Sequence, residues 1–126
     1  MSLLLDTHAF LWWVADDRRL TLRARRAIER EPCVVSVVSC WEMAIKVSLR
    51  KLDVPLPLER FLVGQLEMNG FGLLPLGIEH ASAVADVQFH HRDPFDRLLA
   101  MQARREELAI VSSDKVFTRY GVRRVW

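Results

Sequence analysis

The chain has 126 residues and a mass of 14.6 kDa, which is enough for one domain with a single hydrophobic core and too little for two. Its hydrophobic fraction is 51%, yet no stretch approaches the ~20 apolar residues of a membrane span, and the N-terminal run lacks a basic leader. We therefore expect one soluble, cytoplasmic domain over residues 1–126. The two cysteines form no CxxC pair, so the sequence gives little support to a zinc site or a disulfide framework.

The charge balance points to a polyanionic partner. The formal net charge is +2, from 18 basic and 16 acidic residues, and it would be about +6 if four acids were held around a metal ion. Arginine dominates the basic residues, and its guanidinium group matches the geometry of phosphate. The alternative for each single arginine is a solvated helix face. The arginines occur mostly in short groups, at Arg18-Arg19, Arg23, Arg25-Arg26, Arg30, Arg104-Arg105 and Arg123-Arg124.

The first half of the chain predicts alternating strands and helices. Residues 2–5 form an apolar run that favours a strand, and a helix is expected over 6–15. Thr21 can cap a short basic helix ending near Glu29, and residues 33–36 predict a second strand. A third helix is expected over 39–50. The proline-rich link after it opens a fourth helix, with Pro57 in its first turn and Asn69-Gly70 at its end.

The second half continues the alternation. Strands are predicted at 71–76, 108–112 and 122–126, and a helix at 78–87. The segment His90-His91-Arg92 leads to a helix that Asp93 caps and Pro94 opens, and a short helix follows Asp114. Strands that alternate with helices indicate a three-layer α/β/α domain with a mainly parallel central sheet.

Four carboxylates occur where the predicted strands end or where the helices begin. They are Asp6, Glu42, Asp96 and Asp114. Because parallel strands deliver the residues that follow them to one edge of a sheet, these side chains are expected to meet. Several carboxylates that meet cannot all stay charged without a cation, and a hard divalent ion is the natural one. The pattern predicts a metal-dependent enzyme.

Helix capping alone offers a simpler explanation for each acid. Asp6 and Asp114 can cap the helices that follow them. Ser39 and Glu42 have the spacing of a capping box, and Asp93 and Asp96 have a related spacing. The two explanations are compatible, because a helix N-terminus favours the ionised carboxylate that a metal requires. Capping alone leaves unexplained why all four acids would occupy corresponding positions.

Other polar and aromatic residues are less specific. The four histidines, His8, His80, His90 and His91, lack ligand spacing, so packing or surface roles are favoured over a transition-metal site. Lys46 follows Glu42 by one helical turn, so it can form an ion pair or reach a phosphate near the acids. Trp12 and Trp13 cannot both face the core, and one of them can mark a contact surface.

Three segments resemble PIN-domain ribonucleases of the VapC toxin type. They are LLDTHAFLWW at 4–13, SVVSCWEMAIK at 36–46 and HRDPFDRLLAMQA at 91–103. The resemblance covers nearly the whole chain and implies an acidic site of Asp6, Glu42, Asp96 and Asp114. It implies Mg²⁺, or Mn²⁺ in its place, held principally by Asp6 and Asp96 with Asp114. It further implies RNA cleavage that inhibits translation or growth, a homodimer, and inhibition by a VapB-type antitoxin.

The implied chemistry is in-line hydrolysis of an RNA phosphodiester by a water that the metal activates, which leaves 5′-phosphate and 3′-hydroxyl ends. Thr7, Ser112 and Ser113 are candidates for hydrogen bonds to water or phosphate, with Lys46 as a further supporting residue. An aspartyl phosphatase is disfavoured because His8 stands where such enzymes carry a second aspartate. A PIN-like module that binds RNA or protein without turnover remains the alternative.

Overall fold

The computed structural model of the protein describes residues 1–87 and 93–126. The predicted His90-His91-Arg92 lead into the sixth helix lies outside the described residues. In chain order the strands are β1 Leu3–Leu5, β2 Cys33–Ser36, β3 Gly72–Leu74, β4 Ala109–Val111 and β5 Arg124–Val125. The helices are α1 Thr7–Val14, α2 Leu22–Arg30, α3 Val37–Ser48, α4 Leu58–Asn69, α5 Ile78–Ala83, α6 Pro94–Arg105 and α7 Val116–Arg119, and a short 3-10 helix, Val84–Asp86, follows α5.

The five strands form one sheet in the order β3-β2-β1-β4-β5, and every pairing is parallel. Strand β1 is central, with Leu4 opposite Val34 of β2 on one side and Ile110 of β4 on the other. Three consecutive leucines suit this position, because a central parallel strand is covered on both faces. The carboxyl ends of β1, β2 and β4 therefore lie side by side at one edge.

Two apolar clusters cover the two faces of the sheet. One joins Leu3 and Leu5 to residues of α1, α2 and α4, among them Phe10 and Ile28. The other joins Leu4 to residues of α6 and α7, among them Leu99 and Phe117. Leu3 and Leu5 belong to one cluster and Leu4 to the other because successive side chains of a strand point to opposite faces of the sheet. This arrangement confirms the predicted α/β/α layers.

Most predicted caps are confirmed. Thr21 accepts a hydrogen bond from the backbone N of Ala24 at 3.1 Å, and Asp93 accepts one from the N of Phe95 at 2.9 Å. Helix α4 ends at Gly70, whose φ of 66° is the left-handed conformation that glycine adopts without strain. The predicted strands after residue 70 are shorter in the structure, because only their central residues pair in the sheet.

The predicted start of α3 is wrong by two residues. Ser36, the last residue of β2, caps this helix and accepts a hydrogen bond from Val38 N at 3.0 Å. Ser39 lies inside the helix, fully buried, and its Oγ has no hydrogen-bond partner among the described residues. The Ser39–Glu42 capping box therefore does not exist. In the described part of the chain, no helix is both long and apolar enough to cross a bilayer.

Candidate active site

Asp6 stands where the central strand ends. It is the N-cap of α1, and its Oδ1 accepts a hydrogen bond from Ala9 N at 2.8 Å. Its own backbone N donates to Val111 O of β4 at 3.1 Å, which ties the aspartate to the neighbouring strand. The side chain is buried. The predicted cap of α1 by Asp6 is therefore present.

Glu42 reaches the same region from α3. Because the helix begins at Val37, Glu42 lies in its second turn rather than its first. The side chain is nearly buried, and both of its oxygens are engaged: Oε1 accepts from Thr7 Oγ1 at 2.7 Å, and Oε2 lies 2.7 Å from Lys46 Nζ. Thr7 follows Asp6, so this hydrogen bond joins the start of α1 to α3.

Asp93 and Asp96 both belong to the start of α6. Asp93 is the cap, and its Oδ1 accepts from the backbone N of Phe95 at 2.9 Å and of Asp96 at 3.3 Å. Asp96 lies in the first turn of the helix, after Pro94. Asp93 thus satisfies backbone N–H groups at the start of the helix, and Asp96 follows it three residues later.

Asp114 follows β4 after a short turn. Its backbone N donates to Ser112 Oγ at 3.0 Å, and its Oδ1 accepts from Val116 N at 2.9 Å. Ser112 is fully buried and also hydrogen bonds to the side chain of Asp6. This serine therefore links the ends of β1 and β4.

The four predicted acids line one cavity of about 350 Å³, together with Asp93. Three of the four predicted supporting residues, Thr7, Lys46 and Ser113, also line it, whereas Ser112 lies behind Asp6. These acids are far apart in the sequence, since Asp6 follows β1, Glu42 lies in α3, Asp96 lies in α6 and Asp114 follows β4. The complete lining is Asp6, Thr7, His8, Glu42, Lys46, Asp93, Asp96, Ser113 and Asp114.

Burial, with the neighbouring carboxylates as a smaller cause, raises the pKa of two of the cavity acids, Asp96 and Asp6. Burial raises the pKa of Asp96 to about 8, and the charges of Asp93, Asp6, Glu42 and Asp114 add to the increase. Burial also raises the pKa of Asp6, although hydrogen bonds from Ser112 and Ala9 oppose the change. The cavity therefore carries more negative charge than its surroundings neutralise.

The donor set fits a hard divalent cation. Carboxylate oxygens are the ligands that Mg²⁺ and Mn²⁺ prefer, and the described lining includes one Lys or Arg, Lys46, which is paired with Glu42. Asp6, Asp96 and Asp114 all line the cavity and could hold such an ion through their carboxylate oxygens. A cation among them would relieve the repulsion that adds to the effect of burial on the pKa of Asp96.

A second cluster brings one ligand atom each of Glu79, His80 and Glu106 within 4.8 Å of one another. Among residues 1–87 and 93–126 no other three Asp, Glu, His or Cys ligand atoms lie so close, so the cavity acids are spread more widely than those of a closed metal site. The cluster is nevertheless explained without an ion. Gly77 N donates to His80 Nδ1 at 2.9 Å, so neutral His80 carries its proton on Nε2, which lies 2.9 Å from Glu106 Oε1. A metal would require that nitrogen unprotonated.

The arginine groups do not line the acidic cavity. Arg19 and Arg25 are paired with Asp17 and Asp16 at 2.7 and 2.9 Å. Other arginines of α2, with Arg123, line a separate cavity beside Met1, at the end of β1 opposite Asp6. The excess positive charge predicted from the composition is therefore present, but away from the carboxylates.

Two lining residues were not predicted as members of the site. Asp93 was assigned to capping, which it performs, and its side chain also borders the cavity. His8 was assigned to packing or to the surface, and it is exposed at the cavity wall. Its position two residues after Asp6, in the first turn of α1, was the available signal.

The sequence profile of the PIN domain family matches residues 3–123. The chain belongs to the PIN domain family. This PIN domain is 29% identical over 116 residues to the ribonuclease VapC22 of Mycobacterium tuberculosis strain ATCC 25618 / H37Rv, a match that covers 90% of the chain and 88% of the relative.

Solved structures share the fold of this PIN domain. One is VapBC2 from Rickettsia felis bound to a promoter DNA fragment, with a TM-score of 0.65, 12% identity and full coverage of both chains. Another is FitAcB from Neisseria gonorrhoeae, with a TM-score of 0.61, 19% identity, and coverage of 97% of this chain and 95% of the other. These similarities support the three-layer arrangement with its parallel sheet.

Proposed function

We propose that the protein is a metal-dependent endoribonuclease and the toxin of a VapBC-type toxin–antitoxin system, with the acidic cavity as its active site. The observation that carries the proposal is the convergence of Asp6, Glu42, Asp96 and Asp114 in one cavity. Membership of the PIN domain family and the similarity to a VapC ribonuclease supply the substrate class.

The proposed ion is Mg²⁺, with Mn²⁺ able to substitute, and Asp6, Asp96 and Asp114 would hold it. When bound, such an ion supplies an activated water and neutralises charge on the phosphate. The protein's own part is to orient the reacting groups. Glu42 holds Thr7 and Lys46 at the cavity wall, and Ser113 offers a hydroxyl to water or phosphate.

The proposed partners follow from the relatives. Solved neighbours with this fold are VapBC and FitAB complexes, so a VapB-type antitoxin is the expected inhibitor. A homodimer and a cytoplasmic location, where both free cysteines would stay reduced, complete the proposal. Restraint by an antitoxin would explain how a cell tolerates an enzyme that cleaves its RNA.

The decisive experiment is cleavage of labelled single-stranded RNA by the purified, antitoxin-free protein. We expect cleavage with Mg²⁺ or Mn²⁺, none in EDTA, and products with 5′-phosphate and 3′-hydroxyl ends. Asp96→Asn should abolish turnover, because it removes an anionic ligand while preserving shape. Glu79→Gln is the matched control, since it neutralises a carboxylate of the other cluster and should leave turnover intact.

Undiminished cleavage in EDTA, or products that end in a cyclic phosphate, would exclude this mechanism. Loss of activity in Glu79→Gln together with normal activity in Asp96→Asn would move the metal site to the second cluster. Retained RNA binding with no turnover under any metal would instead support the alternative, a PIN module that binds without cleaving.

A further inference from the structure

His8 stands at the wall of the acidic cavity, two residues after Asp6. Its side chain is exposed, and among residues 1–87 and 93–126 neither ring nitrogen makes a hydrogen bond or an ion pair. A histidine that ligates a metal normally donates its second N–H to a carboxylate or carbonyl, which fixes the ring. His8 lacks that support.

An aromatic contact fixes the ring instead. The imidazole of His8 stacks on the indole of Trp12, one helical turn later, with ring centroids 5.5 Å apart and an angle of 19° between the planes. One face of the imidazole is covered by the indole, and the exposed remainder of the side chain lies at the cavity wall. A flat, solvent-accessible ring therefore borders the carboxylates.

Trp12 is itself held on several sides. Its ring centroid lies 5.7 Å from that of Trp126, and the guanidinium carbon of Arg19 lies 5.0 Å from it. Arg19 is fixed in turn by Asp17, which accepts hydrogen bonds from its Nε and Nη2 at 3.1 and 2.7 Å. The indole therefore has aromatic and cationic neighbours of its own, and the His8 ring packs against it.

We propose that His8 is a base-stacking subsite, which holds the nucleobase next to the scissile phosphate, and that Trp12 is the residue that positions it. The proposal rests on the proposed RNA substrate. Proteins recognise unpaired RNA by stacking splayed bases on aromatic side chains, histidine included, and such contacts tolerate any base because every base has a π-face. The cavity supplies the carboxylates, and His8 supplies the only aromatic ring among its described lining residues.

If the imidazole nitrogens acted as a metal ligand or proton carrier, substitutions of His8 would have different effects from those expected for stacking. Stacking needs a flat ring, whereas both other roles need nitrogen. His8→Phe keeps the ring and removes the nitrogens, and His8→Ala removes both. We expect His8→Ala to raise KM for single-stranded RNA roughly 5- to 100-fold, as for loss of one stacked base, and His8→Phe to restore KM to near the wild-type value.

The substrate provides an independent comparison. RNA oligonucleotides with a single abasic nucleotide, placed in turn at each position beside the mapped cleavage site, identify the base that stacks. At one position the abasic substrate should raise the wild-type KM by about the same factor as His8→Ala, and it should raise the KM of His8→Ala no further. Trp12→Leu should raise KM in the same way, and Trp12→Phe should recover it.

Trp41→Leu is the matched control, because Trp41 is exposed and contacts Phe95 outside the cavity lining, so its KM should stay at the wild-type value. Thermal melts establish that each variant is folded. The stacking role would be overturned if His8→Phe raised KM as much as His8→Ala. It would also be overturned if the abasic nucleotide raised the KM of His8→Ala further at every position. If the wild-type protein cleaves no RNA, the proposed function is wrong. The stacking role of His8 is then tested by measuring how tightly wild type and His8→Ala bind the same abasic oligonucleotides.

Discussion

The Nζ of Lys46 lies 2.7 Å from Oε2 of Glu42, and this ion pair closes one turn of α3 at the wall of the acidic cavity. The glutamate is nearly buried, while about a third of the lysine side chain is exposed. Together with the hydrogen bond from Thr7, the pair occupies both oxygens of Glu42. The lysine therefore pairs with a carboxylate whose charge adds to the effect of burial in raising the pKa of Asp96.

Lys46→Met should lower the stability of the metal-free protein. Removing one partner leaves a nearly buried carboxylate with a single hydrogen bond, which costs about 1–3 kcal/mol. Lys51→Met is the control, because it removes the same charge from an exposed position of the same segment. Urea unfolding in EDTA measures both. Equal stability of the two variants would mean that Lys46 is solvated and contributes nothing through Glu42.

At pH 9, above the pKa of about 8 of Asp96, Asp96→Asn and Asp114→Asn should raise the melting temperature of the metal-free protein. Two unit charges ~5 Å apart repel by roughly 3 kcal/mol at an effective dielectric near 20, while a lost helix cap costs ~1 kcal/mol. Asparagine also keeps an acceptor oxygen for Val116 N in the case of Asp114. Capping alone predicts the opposite sign, so variants that melt below wild type in EDTA would contradict a shared acidic site.

The stability of the metal-free protein should fall as pH rises. The pKa of Asp96 is raised from 3.8 to about 8 in the folded state, so its contribution is complete below pH ~4 and is lost as the pH rises through about 8. The raised pKa of Asp6 acts in the same direction. Melts in EDTA between pH 5 and 9 should show the decrease in wild type and a weaker one in Asp96→Asn. Identical slopes would show that Asp96 does not titrate in this range.

Mg²⁺ should stabilise wild type more at high pH than at low pH. Metal binding needs ionised carboxylates, and a ligand that binds only the folded state adds stability. The rise in melting temperature on adding Mg²⁺ should therefore be larger at pH 8.5 than at pH 6, and small in Asp96→Asn. Glu79→Gln should keep the full wild-type response. A pH-independent response that Glu79→Gln abolishes would place the ion at the second cluster.

Asp6→Asn and Asp93→Asn should separate chemistry from capping. Both asparagines can still cap their helices. Asp6→Asn should reduce turnover by orders of magnitude with RNA affinity nearly retained, whereas Asp93→Asn should have a much smaller effect, because its Oδ1 already accepts two backbone N–H groups. Single-turnover cleavage and RNA-binding assays measure the two quantities. A silent Asp6→Asn beside an inactive Asp93→Asn would reverse this assignment.

Local signals in the sequence were sufficient to predict most of the helices and strands and to select the acids that line the cavity. Thr21, Pro94 and Gly70 mark helix ends by their own backbone and side-chain preferences, which do not depend on the rest of the fold. Apolar runs marked the strands, and the parallel sheet then required Asp6 and Asp114 to emerge at the same edge.

Features that depend on tertiary contacts were not predictable. Ser36 was assigned to the end of a strand, but it also caps α3 and donates a buried hydrogen bond to Gln102 Oε1 of α6. Gln102 Nε2 donates in turn to Pro75 O at 3.2 Å. No pattern in the sequence pairs residues 66 positions apart in this way. The stacking of His8 on Trp12, by contrast, could have been predicted from their spacing of four residues in α1.

The strand order has a consequence for synthesis on the ribosome. Strand β1 is made first, yet it pairs on one side with β4, whose residues follow more than a hundred positions later. A nascent chain that ends before β4 can pair β1 with β2 and β2 with β3, but it leaves the other edge of β1 open and lacks Asp114. Contacts between such distant segments form late. A growing chain therefore carries no assembled carboxylate cavity beside the messenger RNA that encodes it.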